Sequence, residues 1–285
     1  MSIITSQQLS RFFELYGKIE VTFNRQVIDA TGLIPNNVHL RIADQQWPCI
    51  LYSSSMTGAR VIAGVKTAFY ESLQQVNNHA SMRYCFKVAE KADPISFFVS
   101  AKVTGYAQYN PKNPDVQLIS LEFTQRPPDD LIQTLGVLLE ANANAQRRKD
   151  ERIVLSPENL KKLGLEAKES FVYVEGVPRK CIVRDLSFGG AKILVTGIAK
   201  FLVHKKASLK LQRVDTTEEI QLPGEILRVE NVEGRKDIVV FALMYTEDTP
   251  MSYKLMINSY LTTVRKSTGP VAAHRIQPDP GHKNG

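Results

Sequence analysis

The feature that most constrains this chain is a repeat. Cys49-Ile-Leu-Tyr-Ser-Ser-Ser-Met-Thr-Gly-Ala-Arg-Val-Ile-Ala63 lies without a gap over Cys181-Ile-Val-Arg-Asp-Leu-Ser-Phe-Gly-Gly-Ala-Lys-Ile-Leu-Val195. Cys, Ile, Ser, Gly and Ala coincide, and the other apolar positions stay mostly apolar. Downstream, Ser100-Ala-Lys-Val103 parallels Pro223-Gly-Glu-Ile226, and Leu118–Phe123 parallels Val239–Met244. Each copy then closes with apolar residues at helical spacing, Leu131, Ile132, Leu135, Leu138 and Leu139 in the first and Tyr253, Met256, Tyr260, Leu261 and Val264 in the second. A matching order of elements marks an internal duplication of one unit. A length of 285 residues is comfortable for two such domains.

The pattern within each unit is that of a strand protein. Thr5–Tyr16 reads as a short amphipathic helix with Ser6 as its N-cap and Gly17 as its stop. From Ile19 to Phe123 short alternating runs rich in Val, Ile, Phe and Tyr are broken at Thr31-Gly32, Pro35–Asn37, Asp93-Pro94, Asn110-Pro111 and Asn113-Pro114, the signature of a β-barrel or sandwich. Arg126-Pro-Pro-Asp-Asp130 opens the first closing helix, which runs into the charged stretch Arg147–Arg152. In the second half Ser156-Pro157 starts a short helix that Gly164 ends. Strand-like runs follow at 170–174, 180–185, 191–196, 207–213, 219–229 and 238–245, before a helix from Thr249-Pro250. The expected organisation is a first barrel over 1–126, a helix and linker over 127–146, a second barrel domain over 147–266 and a polar, disordered tail over 267–285.

Composition excludes several classes. Hydrophobic residues at 43% are too many for a disordered chain. The formal charge of +7 suits an anionic ligand or partner without by itself indicating nucleic acid. No apolar run approaches the ~20 residues of a membrane span, and Met1–Gln8 carries no signal-peptide pattern. Cys49, Cys85 and Cys181 form no C-x-x-C pair, which reads as reduced thiols in a cytoplasmic protein, with Cys49 and Cys181 as buried strand residues. None of the five histidines lies three or four residues from another, so no metal cofactor is expected. The chain shows no P-loop, G-x-G-x-x-G or G-x-S-x-G, and the reading is that it is not an enzyme.

Two motifs in the second half carry chemistry. Arg147-Arg-Lys-Asp-Glu-Arg152 contains R-x-x-x-R at Arg148 and Arg152, and Asp185-Leu-Ser-Phe-Gly-Gly190 is a D-x-S-x-x-G. Alone, the first is usually a solvated helix end and the second a β-turn. In this order, at this spacing and on an expected barrel, they resemble the PilZ domain family over about Arg147 to Arg265. The first half resembles the degenerate PilZ-like domains that precede true PilZ domains in two-domain receptors. The resemblance implies a mainly β fold with helices: two tandem six-stranded β-barrels, each followed by a C-terminal helix. It also implies a bound ligand, cyclic di-GMP, and a role in bacterial second-messenger signalling upstream of motility, envelope polysaccharide synthesis or virulence through a downstream protein.

The ligand's chemistry accounts for the residue types. A guanidinium fork bonds guanine N7 and O6 bidentately, and also pairs with phosphate or stacks on a base plane. Arg148 and Arg152 are expected to clamp a base edge and a phosphate, with Arg147 adding a phosphate contact. Asp185 accepts from the guanine N1–H and amino edge and Ser187 adds a bond. Gly190 is expected to let backbone approach the base where a Cβ would collide, and Gly189 to serve the turn. The first half lacks these features: Ser53 stands where Asp185 stands, and no R-x-x-x-R precedes it. The arginines sit at the end of the first domain's helix, so the linker is expected to be mobile and to swing the domains together when ligand neutralises it. The alternative reading is a nucleic-acid-binding β-barrel that stacks bases on the strand aromatics Phe69, Tyr70, Tyr84, Phe86, Phe97 and Phe98.

Overall fold

The computed structural model describes residues 4–88, 92–198, 201–214, 219–247 and 249–268. Helix α1 (Ser6–Tyr16) enters the first barrel, whose strands are β1 (Val21–Thr22), β2 (His39–Ile42), β3 (Gln45–Ser54), β4 (Gly58–Gly64), β5 (His79–Phe86), β6 (Ile95–Asn110) and β7 (Asn113–Phe123). Helices α2 (Arg25–Thr31) and α3 (Thr67–Gln75) interrupt them, and α4 (Asp129–Arg147) closes the unit. The second unit contains β8 (Ile153–Val154), α5 (Pro157–Leu163), β9 (Glu169–Val174), β10 (Val177–Leu186), β11 (Gly190–Thr196), β12 (Lys206–Gln212), β13 (Glu219–Val232), β14 (Arg235–Tyr245) and α6 (Met251–Thr268).

All the strand pairs are antiparallel, and each sheet closes on itself. In the first barrel the order is β3-β2-β5-β6-β7-β4, with β4 returning to β3; in the second it is β10-β9-β12-β13-β14-β11, with β11 returning to β10. These are the two six-stranded barrels, each followed by its helix. A seventh, two-residue strand is added to each: β1 pairs with the end of β3 and β8 with the end of β10. Closure leaves few unpaired edges, and inward residues alternate along the strands. Cys181 and Val183 on β10, Ile193 and Val195 on β11, and Phe241 and Leu243 on β14 fill the second core. Each of the Val, Ile, Phe and Leu side chains among them stabilises the barrel by roughly 1.5–3 kcal/mol.

The duplication extends to defects in the ladder. The β3–β4 register shifts between Leu51 and Ser53, and the β10–β11 register shifts between Val183 and Asp185. A second shared bulge lies between Val103 and Gly105 on β6 and between Ile226 and Arg228 on β13.

The structure corrects several expectations. The first half is not strand throughout. Phe69 and Tyr70 sit on α3, where Phe69 and Leu73 turn inward at helical spacing. Thr31-Gly32 is the end of α2 rather than a strand break, with Asn24 accepting from the Val27 N–H at 3.0 Å and Gly32 at φ 71°. This repeats α5, which Ser156 caps and Gly164 ends at φ 65°. The cap of α1 is Thr5, not Ser6, through a bond from the Gln8 N–H. The match of Leu118–Phe123 to Val239–Met244 is one residue out of step: Val61 faces Ile119 while its counterpart Ile193 faces Phe241, so Leu118 corresponds to Val240. Of the expected tail, Ser267 and Thr268 end α6, and 269–285 lie outside the described residues.

The linker is also more structured than a tether. α4 runs unbroken through Arg147 and packs against α1 and α6. Phe12 of α1 lies where a Cβ on Gly136 would be, 2.3 Å from its Cδ2. The Asn144 side-chain amide donates to Asn258 Oδ1 at 2.6 Å in a buried contact between α4 and α6. α6 serves both domains. Tyr253, Met256, Ile257, Tyr260 and Leu261 join the second core, while Met251 and Leu255 pack on the first.

Candidate functional site

The bulge on β10 shapes the site. Val183 and Leu186 both face the core although they are three residues apart, which regular alternation forbids. The extra residue turns Arg184 and Asp185 outward together. Opposite the end of β10, β8 pairs Ile153 with Leu186 and Val154 with Asp185. That register delivers Arg152 to the acid: its Nη1 donates to Asp185 Oδ1 at 2.6 Å. Arg152 is 42% exposed and Asp185 14%. At that exposure the ion pair adds little stability; its effect is to orient a guanidinium and a carboxylate on one outer face of the barrel.

The turn that follows is consumed by its own structure. The Ser187 N–H donates to the Gly190 carbonyl at 2.8 Å. The Ser187 hydroxyl accepts from the Gly190 N–H at 3.1 Å and donates to the Gly190 carbonyl at 3.2 Å. Ser187 is buried, and so is Phe188, which packs in the second core. A Cβ on Gly190 would lie 2.3 Å from the Leu243 carbonyl oxygen, so the β11–β14 ladder itself requires glycine there. Gly189 donates to the Lys149 carbonyl at 3.0 Å, and a Cβ there would lie 2.5 Å from Lys149 Cγ. Lys149 thus straps the linker over the turn.

Arg147 and Arg148 lie elsewhere. They line a cleft of about 530 Å³ with Arg11 and Tyr16 of α1, Glu140 and Asn144 of α4 and Thr262 of α6. Arg148 Nε is 4.0 Å from Glu151 Oε2, and Arg11 holds Glu140 at 2.6 Å. The fold therefore brings Arg152 to Asp185 and places the other two arginines at the contact between the domains.

Sequence reasoning missed Tyr253. Its buried hydroxyl donates to the Ser187 carbonyl at 2.7 Å and lies 3.3 Å from the Tyr245 hydroxyl. Desolvation pushes both phenols up, which keeps them protonated as donors. α6 is thereby tied to the D-x-S-x-x-G turn. A lone Tyr in an apolar helix face carries no sequence signal for this.

In the first barrel the same place is filled differently. Glu20 stands where Arg152 stands, one residue before the added strand. Its carboxylate takes Arg60 Nε at 2.7 Å and Nη2 at 2.5 Å, and it accepts from the Ser53 hydroxyl. Hydrogen bonding from Arg60 holds the Glu20 carboxyl below its usual range, against the opposing effect of burial. Aligning the halves at the spacing of Cys49 and Cys181 would have exposed this exchange of charge.

The aromatics of the alternative reading do not form one face. Phe69, Tyr84 and Phe86 are buried, and Tyr84, Phe86 and Phe97 stack on one another at 5.6–6.1 Å. Phe98 and Tyr70 are exposed. Cys49 and Cys181 are buried strand residues, and desolvation pushes both thiols up to about 12. Among the described residues no helix is long and apolar enough to cross a membrane.

Two tandem closed barrels, each followed by its own helix, with a basic linker docked beside an acid on the second, define a duplicated-barrel protein. Residues 7–142 match the PilZN3 domain and residues 146–262 match the PilZ domain. A cyclic di-GMP binding protein of Treponema denticola is 45% identical over 267 residues, covering 93% of this chain and 85% of that protein. Among solved structures, the Borreliella burgdorferi PlzA protein in complex with c-di-GMP is 22% identical, covers 90% of this chain and 98% of its own, and has a TM-score of 0.41. YcgR from Escherichia coli in complex with c-di-GMP is 10% identical, with 85% and 88% covered and a TM-score of 0.28. The chain belongs to the PilZ family, with a PilZN3 domain followed by a PilZ domain.

Proposed function

We propose that this chain is a cytoplasmic, non-enzymatic receptor for cyclic di-GMP. Its site is formed by Arg148, Arg152 and Asp185, with Arg147 as a further phosphate contact and with Ser187, Gly189 and Gly190 building the turn that presents the acid. The observation that carries this reading is the Arg152–Asp185 pair, a guanidinium and a carboxylate 2.6 Å apart on an outer face. Such a pair offers a donor fork to a phosphate or guanine N7/O6 and an acceptor to the guanine N1–H edge. The ligand assigned to the Treponema denticola relative supports it. The first barrel, with Glu20 in place of Arg152, presents an acid where a phosphate would have to sit.

Binding is coupled to the contact between the domains. For Arg148 to join Arg152 on the ligand it leaves the cleft shared with α1 and α6, and Lys149 lifts from Gly189. Tyr253 carries any shift of the turn to α6, whose other face packs on the first barrel. The resulting change of interdomain arrangement signals to a downstream protein of motility or the envelope, with effects that extend to virulence. Calorimetric titration of the full chain with cyclic di-GMP tests the site. Arg148→Ala, Arg152→Ala and Asp185→Ala are each expected to weaken binding by ~1.5–3 kcal/mol, the worth of a charge-assisted bond. Wild-type affinity in the double arginine variant overturns the assignment. Small-angle scattering with and without saturating ligand tests the rearrangement, and unchanged profiles for a chain shown to bind refute it.

A further inference from the structure

The two barrels provide an internal comparison. In the first, Arg60 on β4 stands opposite Ser53 on β3, and its side chain reaches across to the residue just before the added strand, where it grips the Glu20 carboxylate with both Nε and Nη2. Arg60 also donates to Ser53 Oγ at 3.2 Å. An anionic group is therefore held at this place by a cation on β4 and a hydroxyl on β3.

In the second barrel the counterpart of Arg60 is Lys192 on β11, opposite Asp185 in the same register and after the same bulge. The acid of the first barrel is replaced by Arg152. Two cations thus stand at Asp185, Arg152 paired with it and Lys192 opposite it across the ladder. Lys192 is only loosely held: its Nζ lies 3.5 Å from Glu230 Oε2, and Glu230 is also shared with Arg228 at 3.7 Å. Its side chain is one-third exposed, on the same outer face. Around Lys192, two cations, Lys192 and Arg228, share one acid, Glu230.

We propose that Lys192 is a further cationic contact of the nucleotide site, holding a ligand phosphate oxygen where the first barrel holds its own Glu20 carboxylate. In this sense Glu20 is the first barrel's built-in occupant, and the carboxylate oxygens stand in for phosphate oxygens. A lysine suits the role because a compact ammonium pairs with phosphate as a point charge, while Arg152 retains the planar fork that a base edge requires. Glu230 competes with the ligand for Lys192.

This inference rests on the receptor reading, and the experiment separates the two. The full chain is titrated calorimetrically with cyclic di-GMP at low and at physiological salt, as wild type, Lys192→Met, Lys192→Arg, Glu230→Gln, Arg152→Ala and Arg60→Met. Lys192→Met is expected to bind about ten- to a hundredfold more weakly, with a smaller loss of affinity on adding salt because one screened charge pair is gone. Lys192→Arg is expected to stay within a few-fold of wild type. Glu230→Gln is expected to bind a few-fold more tightly, and Arg60→Met to bind as wild type does. Thermal melting checks that the variants are folded. If wild type binds, Arg152→Ala binds more weakly, and both Lys192→Met and Glu230→Gln match wild type at both salts, the role of Lys192 is refuted and the receptor reading stands. If wild type itself fails to bind, both fall together.

Discussion

Replacing Gly190 with alanine puts a methyl carbon 2.3 Å from the Leu243 carbonyl oxygen, with the carbonyl carbon at 3.4 Å and Met244 Cα at 3.6 Å. Real Cβ atoms essentially never approach a heavy atom closer than 3.0 Å. The obstacle is backbone in the ladder, so no side chain can rotate away. β11 must move off β14 by about 1 Å at the Gly190–Met244 pair. Nearby, the turn bonds from Ser187 to Gly190 and from the Tyr245 N–H to the Gly189 carbonyl at 2.9 Å are stretched with it. Losing one or two buried bonds at about 1–1.5 kcal/mol each, with overpacking of about 1–3 kcal/mol, gives a cost of roughly 2–5 kcal/mol. Urea unfolding of the full chain, followed by tyrosine fluorescence and circular dichroism, is expected to show this loss in the second barrel. Gly58→Ala, which meets the Leu121 carbonyl oxygen at 2.5 Å, is expected to give a similar loss in the first. Because Gly58 belongs to the barrel without the arginine clamp, the pair of variants distinguishes ladder geometry from ligand contact. A Gly190→Ala protein with wild-type unfolding that has lost only nucleotide binding refutes the reasoning and restores glycine as a point of ligand approach.

Tyr253→Phe removes the donor to the buried Ser187 carbonyl at 2.7 Å, and a loss of about 1–3 kcal/mol in unfolding free energy is expected, measured by denaturant titration; an unchanged midpoint refutes the link between α6 and the turn. Cys49 and Cys181, with thiols pushed up to about 12, are expected to resist an aromatic disulfide reagent at pH 8 until the chain is unfolded, and prompt modification of either in the native protein contradicts their burial. Glu20 has its folded pKa below the ordinary 4.5, so its pairing stabilises the first barrel above that pH and the effect is lost as pH falls through the folded value. The gap in stability between wild type and Glu20→Gln is therefore expected to be steady near neutrality and to close below about pH 4, and a gap that widens in acid argues against the Glu20–Arg60 pair.

What could be read from the residues was whatever local chemistry dictates. Strand-like runs located the strands of the second half, the duplicated Cys-to-Ala segment located β3 and β4 of the first, and the apolar spacing of Leu131 to Leu139 and Tyr253 to Leu261 located the closing helices. The paired R-x-x-x-R and D-x-S-x-x-G motifs point to the region of the proposed site, because an arginine fork suits guanine and phosphate and a carboxylate suits the guanine N1–H edge. Helices α2 and α3 escaped because seven- and nine-residue helices show barely two turns of period, too few to stand out among strands of period two. The one-residue slip at Leu118 escaped because the counterpart run Val239-Val-Phe-Ala-Leu-Met244 is apolar on both faces, so the pattern does not set the register.

The tertiary structure decided which of the motif residues meet. A two-residue strand pairing with the end of β10 brings Arg152 to Asp185, and the length of α4 carries Arg147 and Arg148 to the contact between the domains. Ser187 and Gly190, which match a ligand motif in sequence, are tied to each other and to β14, and the acid is turned outward by a bulge. The opposition of Lys192 to Asp185, and of Arg60 to Ser53, exists only once the strands are paired. Hydrogen-bond registry and the bulges in it determine which side chains share a face, and these are cooperative properties of the closed sheet, set by contacts between residues distant in the chain.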